Sequence, residues 1–141
     1  MPRTVIGLLV PVDPDVPLAL HLLPDGSVAM SDLLGGGLLG DPEVWVARHG
    51  SDVRRVLVYR SETTPDAAPN PRLAALADLL EVAPETVAPV VADVLLLGAG
   101  DDGTDADVPP LVLATVLHSG WPVSMHVVTP GTDREAGDRR W

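Results

Sequence analysis

Residues 98–110, GAGDDGTDADVPP, carry four aspartates within seven positions: Asp101, Asp102, Asp105 and Asp107. Carboxylates at this density are natural ligands of hard divalent cations, so a metal site is the first chemistry to weigh. An EF-hand calcium loop sets Asp or Asn at its first, third and fifth positions, Gly at the sixth and Glu at the twelfth. Counted from Asp101, the third position is Gly103 and no Glu closes the loop, so that motif is not met. Two or three of these carboxylates could still hold Mg²⁺ together with water and a substrate phosphate. The competing reading is a solvated acidic turn, since Asp side chains accept hydrogen bonds from nearby backbone N–H groups. The spacing favours the turn, and the expectation is no cofactor, with a divalent cation as the alternative.

The other polar constellations are sparser. LLGGGLLG at 33–40 could bring backbone N–H groups close to an anion. It lacks the Gly-Lys-Ser/Thr of a P-loop and is no dinucleotide-binding turn, so Gly35 and Gly36 read first as a helix stop and second as ligand contacts. Asn70 and Arg72, at the head of NPRLAALA, are the remaining candidate ligand-binding residues, with Asn70 also placed to cap a helix. His21, His49, His118 and His126 fall in no metal-binding spacing, and no serine sits in a G-x-S-x-G elbow. No catalytic residue is therefore assigned. The pair Arg54–Arg55 puts one guanidinium on each face of its strand, so at most one of them meets a given ligand.

Composition narrows the partners. The net charge is −11 and every one of the nine cations is Arg. Such a chain lacks the field of positive charge that holds a phosphate backbone, and with no Phe, three Trp and one Tyr it offers few platforms for base stacking. Direct nucleic-acid binding is not expected; a protein or small ligand is, and a basic protein would suit the charge. The absence of Cys excludes disulfides and thiolate metal sites. Pro11, Asp13 and Asp15 interrupt the first apolar run too early for a signal peptide, and no apolar stretch reaches about 18 residues. The expected location is the cytoplasm, with no membrane contact.

A chain of 141 residues fits one domain, assigned to residues 1–130, with 131–141 as a flexible tail. TVIGLLVPV (4–12) and VPLALHLL (16–23) read as strands, and PEVWVARH (42–49) with VRRVLVYR (53–60) as the clearest hairpin. A short helix beginning near Ser27 and ending at Gly35 is expected between these pairs. Leu73, Leu76, Ala77 and Leu80 share one face of a second helix entered through Pro71. VVADVLLLGAG (90–100) is the central strand, PPLVLATVLHSG a third helix, and PVSMHVVTP (122–130) the last strand. The fold class is α+β, a mixed, largely antiparallel sheet packed by about three helices.

Three stretches recur in an order shared with one family: SDLLGGGL, NPRLAALA and LLLGAGDDGTDADVP. Together they resemble the domain-of-unknown-function family 3846 of phages and actinobacteria, over roughly residues 4 to 117. The matching positions are Gly35 and Gly36, Asn70 with Ala74, and Gly98 with Asp101, Asp102 and Asp107. The chain departs from the family pattern at the third glycine, Gly37, and in its Pro-rich N-terminal hairpin. The resemblance implies a small α+β accessory protein of a phage or mobile element and supplies no activity.

Three functions follow as expectations. The first is a non-enzymatic binding or interaction module, which needs no missing catalytic group. The second is a metal-assisted hydrolase or nucleotide-binding enzyme built on the Asp101–Asp107 loop, for which the sequence offers no base, nucleophile or phosphate clamp. The third is a subunit of a homo-oligomeric assembly, in which exposed strand edges are covered by further copies.

Overall fold

VLLLGA, the strand β5 (Val94–Ala99), is apolar at every position rather than at alternate ones, as expected of a strand covered on both faces. In the computed structural model, which describes residues 4–24, 33–34, 42–60, 69–82, 92–100 and 104–127, its residues 94–97 have no exposed surface. The other strands are β1 (Thr4–Val10), β2 (Leu18–Pro24), β3 (Glu43–His49), β4 (Asp52–Tyr59), β6 (Asp105–Ala106) and β7 (Val123–Val127). They form one sheet in the order β3-β4-β5-β1-β2-β7, with β6 paired to β5. Only β2 and β7 run parallel.

Period-two alternation divides the core between the faces. Val94 and Leu96 point to the same side as Leu8, Val10, Trp45, Val56 and Val58. That side is covered by the two helices, α1 (Pro71–Leu79) and α2 (Pro110–Ser119), through Leu73, Leu76, Ala77, Leu111, Val112 and Val116. Leu95 and Leu97 point the other way, into a smaller cluster with Val5, Leu23, Leu57 and Leu34. Helix α1 starts where Asn70 accepts the Leu73 N–H and Pro71 occupies the first turn. It stops in a Schellman arrangement: Val82 N–H donates to Ala77 O and Glu81 N–H to Asp78 O, with Glu81 at φ 55°. Helix α2 enters through Pro110 and ends at Gly120, φ 80°.

The acidic stretch forms a wedge in this sheet. β1 pairs with β5 only over Leu8–Val10, opposite Val94–Leu96. Beyond that point β6 takes the edge of β5 at Gly98 and Ala99. Val108 N–H donates to Ile6 O at 2.8 Å, and the Asp107 carboxylate accepts the Ile6 N–H, also at 2.8 Å. Residues 105–108 thus fill the gap between two parting strands and satisfy backbone groups on both sides. Gly98 makes the passage sterically feasible, because a Cβ there would stand 2.3 Å from Asp107 O.

Two expectations are corrected. Among the described residues there are two short helices against seven strands, so the protein is sheet-dominated and not an α+β sandwich packed by about three helices. The helix expected from Ser27 to Gly35 lies outside the described residues except at Leu33, which is helical, and Leu34. The Asp-rich stretch, expected as a turn, contains the strand β6; two residues carry too little pattern to announce it. The tail at 131–141 also lies outside the described residues.

Gly98→Ala should cost about 2–3 kcal/mol or more in urea unfolding, because the new methyl meets fixed backbone. Gly7→Ala should cost less: its Cβ would meet only the methyl ends of Leu95, Leu97 and Leu23, at 3.0–3.2 Å. Equal losses would show that the wedge can move aside.

Candidate functional site

Asn70 and Arg72 stand together, as their spacing implies, but the fold uses both. Asn70 is 1% exposed. Its Oδ1 caps α1, and its Nδ2 donates to Val10 O at 3.0 Å and to Ala92 O at 2.9 Å. Arg72 Nη2 donates to Pro11 O at 3.0 Å and to Asp13 O at 2.8 Å. Burial pushes the Arg72 guanidinium below its ordinary value, while the Asp13 charge works the other way. On the far side, Asp93 Oδ1 accepts the Val12 N–H at 2.7 Å. One amide and one guanidinium therefore bind the turn after β1, the approach to β5 and the head of α1 into a single joint. Both amide protons of Asn70 are already committed, so a ligand finds no free donor there.

Of the four aspartates, Asp105 and Asp107 are described, and each has a structural task. Asp107 accepts from Ile6, and Asp105 Oδ1 accepts from the Tyr59 hydroxyl at 2.5 Å. Burial first, then the hydrogen bond to Asp105 and its charge, push the Tyr59 phenol far above its usual range. Asp101 and Asp102, like Gly35 and Gly36, lie outside the described residues. Among the described residues no three His, Cys, Asp or Glu side chains gather as a metal would require.

Two histidines that the sequence leaves apart are brought to one place. His49, at the end of β3, and His118, on α2, line a cleft of about 320 Å³ between the helices, with Leu79, Leu111 and Ala114 supplying apolar wall. The cleft's hydroxyls face away from catalysis: Thr115 Oγ1 donates to Leu111 O and Ser119 Oγ to Thr115 O, each one helical turn back. The space could take a small apolar ligand, and among the described residues lining it none is an activated nucleophile.

The most distinctive surface lies on the opposite face of the sheet. The register of β3 and β4 sets Val44 across from Leu57, Val46 from Arg55 and Arg48 from Val53. Because Trp45 and Ala47 turn inward with no exposed surface, their neighbours must turn outward. Val44, Val46 and Val53 are 48%, 38% and 52% exposed. Among the described residues, every arginine except Arg72 lies on this hairpin or one residue beyond it: Arg48, Arg54, Arg55 and Arg60. Arg54 pairs with Asp52 and Arg60 with Glu43, while Arg48 and Arg55 have no carboxylate partner among the described residues. The sequence marks the hairpin but not this surface, because Val44/Val46 and Trp45/Ala47 are both apolar sets and nothing local says which is covered.

Two predictions follow from the committed polar groups. With no Lys, no Cys and one Tyr, Tyr59 is the only side chain whose ordinary titration lies near pH 10. Its folded value is raised, so its contribution is intact below about pH 10; above that the unfolded chain ionises first and stability falls by up to about 1.4 kcal/mol per pH unit. Tyr59→Phe should abolish that slope; an unchanged slope would place the loss elsewhere. Asn70→Ala should cost about 3 kcal/mol, a lost cap plus two buried carbonyls left without donors. Asn70→Asp keeps the cap but turns a carboxylate toward those carbonyls, so its deficit relative to wild type should shrink as pH falls and the acid regains a donor proton. A pH-independent deficit would show that the amide donors do not matter. Compared with known proteins, the chain matches no family model, no curated protein and no solved structure.

Proposed function

We propose that this chain is a non-enzymatic interaction module that docks a protein partner on the β3–β4 hairpin. The observation that carries the reading is the checkerboard of three exposed valines and two arginines without a carboxylate partner among the described residues, on a chain of net charge −11. Exposed apolar groups ringed by charge mark association surfaces, and the arginines give this one a local sign opposite to that of the whole molecule. The partner is accordingly one that covers valines and brings carboxylates or backbone carbonyls to Arg48 and Arg55, rather than the basic protein that overall charge suggests. An accessory protein of a phage or mobile element, as the resemblance to family 3846 implies, would act in this way. The enzymatic alternative has less support, since Asp105 and Asp107 are engaged in the sheet.

The test is position-specific photo-cross-linking in the native host, with the reactive residue placed at Val46, at Val53 or, on the helical side, at Ala114. Discrete adducts from the two hairpin positions and none from Ala114 are expected. Adducts from Ala114 alone, or from none of the three, would overturn the reading.

A further inference from the structure

We infer that the cleft between the two helices binds a small organic cation, an alkylammonium whose charged head lies against His49 and His118 and whose chain lies along Leu79, Leu111 and Ala114. The site is on the helical side of the sheet, away from the exposed valines of the hairpin, and stands independently of the docking reading above.

Three elements assemble the cleft. His49 shares the strand parity of Trp45 and Ala47, which face the helices, and so reaches the helical side from the last position of β3. The Arg48 N–H, donated to Leu80 O at 2.7 Å, ties this end of the hairpin to the end of α1. Helix α1 contributes Leu79, its last residue, and α2 contributes Leu111, Ala114, Thr115, His118 and Ser119. Leu79 is 51% exposed, so the apolar wall still has surface for a ligand to cover. At about 320 Å³ the space falls at the lower end of ligand-sized clefts, which run from roughly 300 to 1,000 Å³.

The polar lining accepts more than it donates. Thr115 Oγ1 and Ser119 Oγ have given their protons to Leu111 O and Thr115 O, so toward a ligand each hydroxyl offers lone pairs only. Each neutral imidazole offers one acceptor nitrogen, and neither is engaged among the described residues. No arginine is among the residues lining the space, and the chain has no lysine. Both helices end here, and the carbonyl end of a helix carries partial negative charge. The charged groups on the surrounding elements add to the same sign. On the hairpin, Asp52 and Arg54 share the parity of His49 and neutralise each other at 2.8 Å, while Arg48 has the opposite parity. Helix α1 carries Asp78, and Glu81 follows it; α2 has no charged or titratable side chain besides His118. A chain of net charge −11 also concentrates cations around itself. The complement of such a cleft is a positive head with several donors on an apolar body, and an ammonium has three donors and no acceptor. A carboxylate would meet acceptors. A bare metal ion would leave the apolar wall uncovered and find two imidazoles where a third ligand is wanted, and no such trio gathers among the described residues.

Hexylammonium is the probe, titrated calorimetrically into the full chain in phosphate buffer at pH 8. Saturable binding is expected, at least tenfold tighter than that of hexanoate or hexanol, which carry an anionic or a neutral head on the same chain. An imidazole takes up a proton as pH falls through about 6.5 whereas an alkylammonium keeps its charge, so affinity should drop about tenfold between pH 8 and pH 5.5. His49→Gln/His118→Gln keeps an acceptor at each position and should bind within about threefold of wild type at pH 8, without that drop. Ala114→Trp, at an exposed position, fills the cleft and should abolish binding with circular dichroism unchanged. Hexanoate or hexanol binding as tightly as hexylammonium, affinity that rises on acidification, a drop that persists in the double variant, indifference to Ala114→Trp, or no saturation by hexylammonium at about 10 mM would overturn the inference.

Discussion

The constraint from which the rest of the structure follows is that β5 has no exposed surface over residues 94–97, so its backbone hydrogen bonds must be made by other strands. β4 serves one side along its length, opposite Leu95 to Gly98. The other side needs two partners, because β1 leaves after Val94–Leu96 and β6 must take over at Gly98 and Ala99. From this division come the glycine at 98, the carboxylate of Asp107 on the Ile6 N–H, and Asp105 under the Tyr59 hydroxyl. The acidity of this stretch has a local cause: carboxylates accept several hydrogen bonds at once, which suits a segment inserted between two strands.

The same economy governs the joint at Asn70. A side chain with one acceptor and two donors at the head of α1 caps the helix and holds two further segments by their carbonyls. One of those carbonyls belongs to Ala92, whose φ of 68° is costly for a residue with a Cβ. Such a conformation persists where its surroundings over-determine it, and the Asn70 amide is one of the groups that do so. A serine or aspartate would cap equally well, but neither can donate twice, so the choice of asparagine reflects the joint rather than the helix.

Much of the framework is legible in the sequence because it rests on local rules. Pro71 after Asn70, Gly120 after an apolar run, and the two residues between His49 and Asp52 are boundary signals whose physics acts over a few residues, and the elements they bound lie close to the expected ranges. What the sequence does not display concerns distance. The hydrogen-bond donors to Asp105 and Asp107, Tyr59 and Ile6, are 46 and 101 residues away, so no local pattern announces them. Arg72 is similar, since its acceptors at Pro11 and Asp13 belong to a turn that no local pattern connects to α1. The hairpin surface was hidden for another reason: β3 is apolar at both parities, and only the position of the helices decides that Trp45 and Ala47 are covered while Val44 and Val46 are not.

That second parity carries two of the exposed valines of the proposed docking surface. The strand's contribution to the core comes from Trp45 and Ala47; the outward positions need only tolerate an extended backbone, and threonine would do this about as well as valine. Keeping valine there leaves apolar area in water. Covering one such side chain is worth at most about 1.5–3 kcal/mol, and each backbone hydrogen bond adds roughly 0.5–1.5 kcal/mol. Set against an association cost of about 4–15 kcal/mol, a contact centred on Val44, Val46 and Val53 would be modest and reversible. The docking proposed for the hairpin would therefore respond to concentration rather than fuse two cores permanently, and the arginines beside it would bias which surface a strongly acidic molecule presents at an encounter.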